Sequence, residues 1–314
     1  MHVLLLGAGE MAKQYIKVLK TLGVCFTVVG RSEERAKYLS KEMGVPVLTG
    51  GIAEAYTSIP SVPTHAIIAT NIENLSESAL FLLDKNIKNI LVEKPGSMDL
   101  DGLTRVCWKA ERLKSSVFIA YNRRFYSSVL QAEKRIKSDG GLLSFTFDFT
   151  EWSHIITGLN KPTFELENWF IANSTHVLDL AFFFGGKPNR VSSFAKGELD
   201  WHKQGSIFTG CGVTEGDIPF SYHANWEAPG SWKLELLTKD NKYIFRPLEK
   251  LQVQKKGSLD IDYVDLDDAI DHDFKPGLYR QVQAFLYKSE MDKRLLQINE
   301  AVKMMKIYYK MMRN

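Results

Sequence analysis

The chain opens with a glycine spacing suited to holding phosphate. Gly7-Ala8-Gly9-Glu10-Met11-Ala12 has the pattern Gly-x-Gly-x-x-Ala and follows the apolar run Val3-Leu4-Leu5-Leu6. Gly7 permits a tight turn, Gly9 lets backbone approach a pyrophosphate with no Cβ in the way, and Ala12 permits close helix–strand contact. Ala8, Glu10 and Met11 complete the turn and the first helical residues, where backbone N–H groups and the helix dipole favour an anion. Alone the pattern is weak. Between a strand and a helix, at the head of a βαβ repeat, it points to a dinucleotide.

The tip of the second strand chooses between dinucleotides. A site for NAD places an acidic residue there to bind the ribose 2′-hydroxyl. This chain has Val29-Gly30-Arg31-Ser32 instead, with Arg35 one turn into the next helix. Arg31 can pair with a 2′-phosphate through its planar fork, and the Ser32 hydroxyl can donate to it. Glu33 and Glu34 fall in the first helical turn, where acidic residues suit the dipole. The expectation is NADP(H) in preference to NAD(H).

Glu93-Lys94-Pro95 follows the fifth strand. Carboxyl ends of parallel strands are where open α/β sheets bind ligands. A lysine there can hydrogen-bond a substrate oxygen and move a proton, and Glu93 can orient it. Two other clusters carry no such expectation. Asp260, Asp262, Asp265, Asp267 and Asp268 lack the glycine and distal glutamate of a calcium loop and read as a solvated edge and turn. The seven histidines show no zinc-like spacing, so no metal is expected.

The elements that must position these residues follow from hydrophobic periodicity. Strands are expected at 3–6, 25–29, 45–48, 64–69, 90–92 and 117–121, separated by helices at 32–43, 76–84 and 99–113. Ser32 is a plausible N-cap and Gly44 a stop. Strands alternating with helices imply a doubly wound parallel sheet, an N-terminal Rossmann domain over 1–121. After residue 122 the pattern changes. A helix at 127–136 precedes strand-like segments at 142–150, 191–194, 207–213, 220–226, 232–237 and 243–245, joined by short turns, which suggests an antiparallel sheet. Helices are expected at 174–184, 279–288 and 297–312. Residues 152–169 are aromatic without periodicity and fit either a covering loop or a peripheral insertion.

Composition sets the outer limits. At 314 residues the chain suits two domains, and 45% apolar with 25% charged residues is that of a globular protein. A net charge of +3 from interspersed residues does not indicate a nucleic-acid partner. Cys25, Cys107 and Cys211 are sparse and odd in number, which fits a reducing compartment. No apolar run approaches a bilayer span, and Met1 to Ala8 is expected to be a buried strand rather than a leader, so the expected location is cytoplasmic.

Gly7-Ala8-Gly9, Glu93-Lys94-Pro95 and Tyr121-Asn122-Arg123-Arg124-Phe125, in this order, resemble the glucose-fructose oxidoreductase / inositol dehydrogenase / rhizopine catabolism (Gfo/Idh/MocA) family. Trp232-Lys233-Leu234 and Arg246-Pro247-Leu248-Glu249 are similar to its C-terminal sheet, so the resemblance spans the chain. It implies a C-terminal α/β domain over 122–314 with a large, mostly antiparallel open-faced sheet, its last helix returning to the first domain. It implies NAD(P)-linked hydride transfer on a sugar, sugar nucleotide or cyclitol, and homodimers or homotetramers packed through the sheet. By the same resemblance Lys94 is catalytic, Pro95 shapes the nicotinamide pocket, and Thr70 and Asn71 line the cofactor. Asn122 and Arg123 lie near nicotinamide and substrate, and Asn173 and His176 form a second half-site.

One departure stands out. The family commonly has an aspartate four residues before this histidine, and here that position is Ala172. His176 still suits proton transfer near neutral pH. Asn173 can offer hydrogen bonds but exchanges no proton as a carboxylate does, and Asp179 is expected to orient the helix. Two further readings stay open: a reductase of a non-sugar carbonyl or imine, and a non-catalytic NADP(H)-binding sensor or scaffold, which Ala172 keeps alive.

Overall fold

A computed structural model describes residues 1–287 and 290–313. They form two compact units: 1–122 with 270–287 and 290–303, and 123–269 with 304–313.

In the first unit six parallel strands follow the expected alternation: β1 His2–Leu6, β2 Cys25–Val29, β3 Val47–Leu48, β4 His65–Ile68, β5 Asn89–Glu93 and β6 Ser116–Ala120. Their order is β3-β2-β1-β4-β5-β6, and a short return segment, Leu296–Gln297, adds antiparallel to β6. β1 is buried along its whole length because helices cover both faces, which is why it reads as an unbroken apolar run. The helices begin and end where local chemistry dictates. Ser32 Oγ accepts from Arg35 N at 3.4 Å at the start of Glu33–Met43, and Gly44 ends it at φ 60°. Asp99 Oδ1 accepts from Gly102 N at 2.6 Å ahead of Leu100–Leu113. The register sets the site. Leu6 pairs with Val29 and with Ile68, Ile68 with Val92, and Glu93 with Ala120. The turns after β1, β2, β4, β5 and β6 therefore emerge along one edge of the sheet, with the reversal of strand order between β1 and β4.

The second unit is built on eight strands: β7 Ser144–Phe149, β8 Pro188–Lys196, β9 Ile207–Thr214, β10 Pro219–Asn225, β11 Trp232–Leu237, β12 Asn241–Phe245, β13 Gln252–Lys255 and β14 Asp262–Tyr263. Their order is β14-β13-β12-β11-β7-β10-β9-β8, antiparallel except for β7 beside β10. Phe145, Phe147 and Phe149 alternate onto a buried face under the helix Thr175–Gly185, where Phe182 meets Phe147 edge-on at 5.6 Å. Fully burying each such ring contributes about 1.5–3 kcal/mol. Gly185 lacks a Cβ because one there would overlap the Phe145 ring. The other face carries Thr146, Asp148, Ser221 and His223, none of them buried.

Several expectations shift in detail. β13, β14 and the short helix Gly51–Ala55 carry too little periodicity to be predicted. β14 places Asp262 and Tyr263 exposed at the sheet edge, as a solvated acidic run requires. Residues 152–169 contain two short helices, Ser153–Ile156 and Thr163–Glu167, tied down by Trp152 Nε1 donating to Gly230 O at 2.6 Å. The helix expected from 279 is Leu278–Leu286, and its expected last residue, Lys288, lies outside the described residues. Among the described residues no helix is long and apolar enough to cross a membrane.

Candidate functional site

In the first unit the glycine turn has the form that a phosphate requires. Gly7 stands at φ 131°, and a Cβ there would overlap the carbonyl oxygen of Ala69. It is therefore glycine for the fold. Gly9 differs: its φ is −101°, open to any residue, and an added Cβ would meet nothing within 4 Å. Neither strain nor crowding within the protein demands a glycine at position 9. It leaves free space directly over the N-terminus of the helix Glu10–Thr21, which has no side-chain cap. Ala8 lies half-buried in the turn, Met11 is half-buried in the first turn, and the Glu10 side chain leans along the helix to accept from Gln14 at 2.9 Å. Gly30, at the end of β2, passes so close that its Cβ would come within 2.9 Å of Ala8 Cβ. The residues present thus fit a dinucleotide pyrophosphate. Arg31, Ser32 and Arg35 follow on the same edge and are exposed. Ser32 spends a lone pair on its cap and keeps its O–H to donate.

The lysine sits further along this edge. Lys94 is half-buried directly after β5, with Pro95 buried behind it across a cis bond. Glu93 accepts from the Tyr15 hydroxyl at 2.7 Å. Burial pushes the Glu93 carboxyl up, against the pull of Tyr15 and of the Lys94 and Lys275 charges. Burial beside that carboxylate holds the Tyr15 phenol well above its ordinary range. Tyr15 was not singled out by sequence, since 78 residues separate it from its partner. Thr70 is half-buried and Asn71 exposed in the turn after β4. Asn122, buried after β6, donates through Nδ2 to Pro276 O at 2.9 Å, which fixes its amide and leaves its oxygen and a second N–H.

In the second unit the expected residues gather around Trp232. The Arg123 guanidinium lies over its ring at 4.9 Å, and the His176 ring is 6.2 Å from it. His176 is 8% exposed, at the start of Thr175–Gly185. The preceding turn, Phe170–Ser174, is a π-helix. It carries Ala172 and Asn173, and the extra residue breaks the simple i, i+4 relation expected between 172 and 176. Arg124 is not a surface residue: it is buried and pairs bidentately with Asp179, Nε to Oδ2 at 2.8 Å and Nη2 to Oδ1 at 2.6 Å. That gives Asp179 the orienting role expected of it.

A carboxylate that sequence reasoning passed over is Glu151. It is 6% exposed and accepts from Ser174 Oγ at 2.8 Å and from Asn173 Nδ2 at 3.1 and 3.3 Å. The indoles of Trp169 and Trp232 stand against it, and burial pushes its carboxyl up despite these donors. The signal was present: Phe145, Phe147 and Phe149 set the inward parity, and Glu151 continues it.

Comparison with known proteins places this geometry in a wider set. A family model described as shikimate / quinate 5-dehydrogenase matches residues 1–75, the stretch from β1 through β4. No curated protein matches the chain. Solved structures match over nearly its full length. A dehydrogenase (MviM) from Clostridium difficile aligns with TM-score 0.78 and 14% identity, over 99% of this chain and 98% of that one. An oxidoreductase from Agrobacterium radiobacter, in complex with NAD+, L-tartaric acid and magnesium, aligns with TM-score 0.77 and 13% identity, over 98% and 94%. The WlbA dehydrogenase from Bordetella pertussis, in complex with NADH and UDP-GlcNAcA, aligns with TM-score 0.73 and 11% identity, over 100% and 97%. These are Gfo/Idh/MocA-type dehydrogenases, and the chain has their fold.

Proposed function

We propose that the chain is an NADP(H)-dependent oxidoreductase that moves a hydride between nicotinamide and a hydroxyl- or keto-bearing carbon of a sugar, sugar nucleotide or cyclitol. The observation that carries this reading is Gly9: a glycine that the fold does not need, over an uncapped helix N-terminus, at the strand-order reversal. Arg31 and Ser32, with no acidic residue at the β2 tip, favour the 2′-phosphate form. NAD(H) is the second choice. The substrate class is supported by a fold relative whose structure holds UDP-GlcNAcA.

The chain's own part is positioning and proton handling. Gly7, Ala8, Gly9, Glu10 and Met11 would hold the pyrophosphate by backbone N–H groups. Arg31, Ser32 and Arg35 would hold the 2′-phosphate, and Thr70, Asn71, Pro95 and Asn122 would shape the remaining cofactor site. Bound nicotinamide supplies or accepts the hydride. Lys94 Nζ gives a proton to the substrate oxygen in reduction and takes it back in oxidation, with Glu93 beside it held by the Tyr15 hydroxyl. His176 acts as partner in that transfer or as an anchor, with Arg123 and Asn173 as further substrate contacts. The open face of the eight-stranded sheet is the proposed dimer or tetramer surface.

NADPH consumption across keto-sugars, sugar nucleotides and oxidised cyclitols tests the reading. Turnover on one of them is expected. Turnover only on non-sugar carbonyls or imines would move the substrate class, and tight NADPH binding with no turnover would favour a sensor.

A further inference from the structure

Position 172 lacks the carboxylate that the resemblance leads one to expect, yet the second unit is not without one nearby. Glu151 reaches the same turn from the end of β7, across 22 residues of sequence. β11 places Trp232 beside Phe149, so the strand end that carries Glu151 lies against the ring that also receives Arg123 and His176. Ser174 and Asn173, adjacent in sequence, both donate to Glu151. In a regular α-helix neighbours project about 100° apart. The π-helical turn Phe170–Ser174 brings both onto one partner, and such turns recur at functional sites.

The donor inventory then fixes an orientation. Asn173 Nδ2 faces both oxygens of Glu151 and Ser174 Oγ faces one of them, so the amide presents its nitrogen to the carboxyl group. Its Oδ1 is left as an acceptor, and Asn173 is the half-buried member of a pair whose other member is 6% exposed. We infer that Glu151 is a positioning residue that holds the Asn173 amide with Oδ1 outward, so that Asn173 accepts a hydrogen bond from a substrate hydroxyl in place of the carboxylate missing at Ala172. This rests on the proposed sugar-type substrate. It deepens that reading by making the acceptor a neutral amide, with the carboxyl group buried behind it. A neutral acceptor does not repel an anionic substituent such as a uronate or phosphate, whereas an aspartate at 172 would.

The test has two arms on the full-length chain. The first needs no ligand: NMR of the Asn173 side-chain amide. Slowed solvent exchange of the amide protons is expected in the wild type, and clearly faster exchange in Glu151→Gln, whose own amide no longer dictates the orientation. Ordinary solvent exchange in the wild type overturns the inference whatever the substrate is. The second arm titrates UDP-N-acetylglucosamine, its uronate and myo-inositol into the NADP+-loaded protein. Glu151→Gln and Asn173→Ala are each expected to weaken binding about tenfold, and the double variant no more than the worse single, with NADP+ affinity unchanged. Additive losses, or none, overturn it. If the wild type binds none of these probes, the acceptor role and the sugar-type reading both fall, while the first arm still decides whether Glu151 orients Asn173.

Discussion

Gly7 and Gly9, on either side of Ala8, should respond to the same methyl group in opposite ways. Gly9→Ala adds a Cβ at φ −101° with nothing within 4 Å, so the folded chain has no steric reason to resist it. Alanine is a poorer N-cap than glycine but restricts the unfolded chain more, and these effects of about 0.5–1 kcal/mol each nearly cancel. A change in melting temperature of no more than about 3 °C is expected. The methyl does stand in the space through which a pyrophosphate must approach the helix N-terminus. Loss of even one charge-assisted N–H contact costs about 1.5–3 kcal/mol, so NADPH should bind at least about tenfold more weakly. Gly7→Ala is the converse. It forces alanine to φ 131° and into the Ala69 carbonyl, costing about 3 kcal/mol or more of stability before any ligand is added. Differential scanning calorimetry paired with NADPH titration on both variants separates the two effects. Wild-type NADPH affinity in a stable Gly9→Ala protein would refute the reasoning, because the open space over Gly9 would then have no ligand to explain it.

Further outcomes follow from named contacts. Arg31→Ala should raise the NADPH dissociation constant about tenfold or more and leave that for NADH nearly unchanged; equal changes in fluorescence titrations would remove Arg31 from cofactor choice. Lys94→Met should abolish turnover while NADPH still binds, and near-normal steady-state rates would take Lys94 out of the chemistry. Arg124→Ala leaves Asp179 buried without its bidentate partner and should cost about 3–5 kcal/mol, seen as a large fall in thermal stability; Arg124→Met with Asp179→Leu should recover most of it. Burial raises the Glu93 pKa above its unfolded value, so the folded chain holds that proton more tightly. The stability it contributes is complete below the ordinary carboxylate pKa and is lost as pH rises through the elevated one. The melting temperature of Glu93→Gln relative to wild type should therefore climb as pH rises from the ordinary carboxylate range through the elevated pKa; a flat difference would show that Glu93 is not so shifted.

How much of this was legible in the sequence depended on the range of the interaction. Local signals carried far. Ser32 and Gly44 bound their helix as expected, Cys25–Val29 and Trp232–Leu237 begin and end where periodicity put them, and the glycine turn has the backbone that its spacing implied. What sequence did not disclose was non-local or depended on a distortion. The Tyr15–Glu93 contact joins residues 78 apart, and Leu296–Gln297 returns to β6 as a strand of only two residues. The π-helical turn at Phe170–Ser174 leaves no compositional mark, yet it decides what Asn173 and Ser174 can touch. Ala172 was visible as a gap. Glu151 was visible only as an acidic residue at the end of an inward-facing series, and its partners required the β7–β11 register.

Deuterium transfer tests the central claim most directly. NADPH labelled at the transferable C4 position, incubated with the protein and a panel of keto-sugars, sugar nucleotides and oxidised cyclitols, should place deuterium on the new carbinol carbon of one of them. That transfer should be lost in Lys94→Met, with NADPH binding retained. Tight NADPH binding by the wild type, with no label reaching any compound of the panel, would contradict the account.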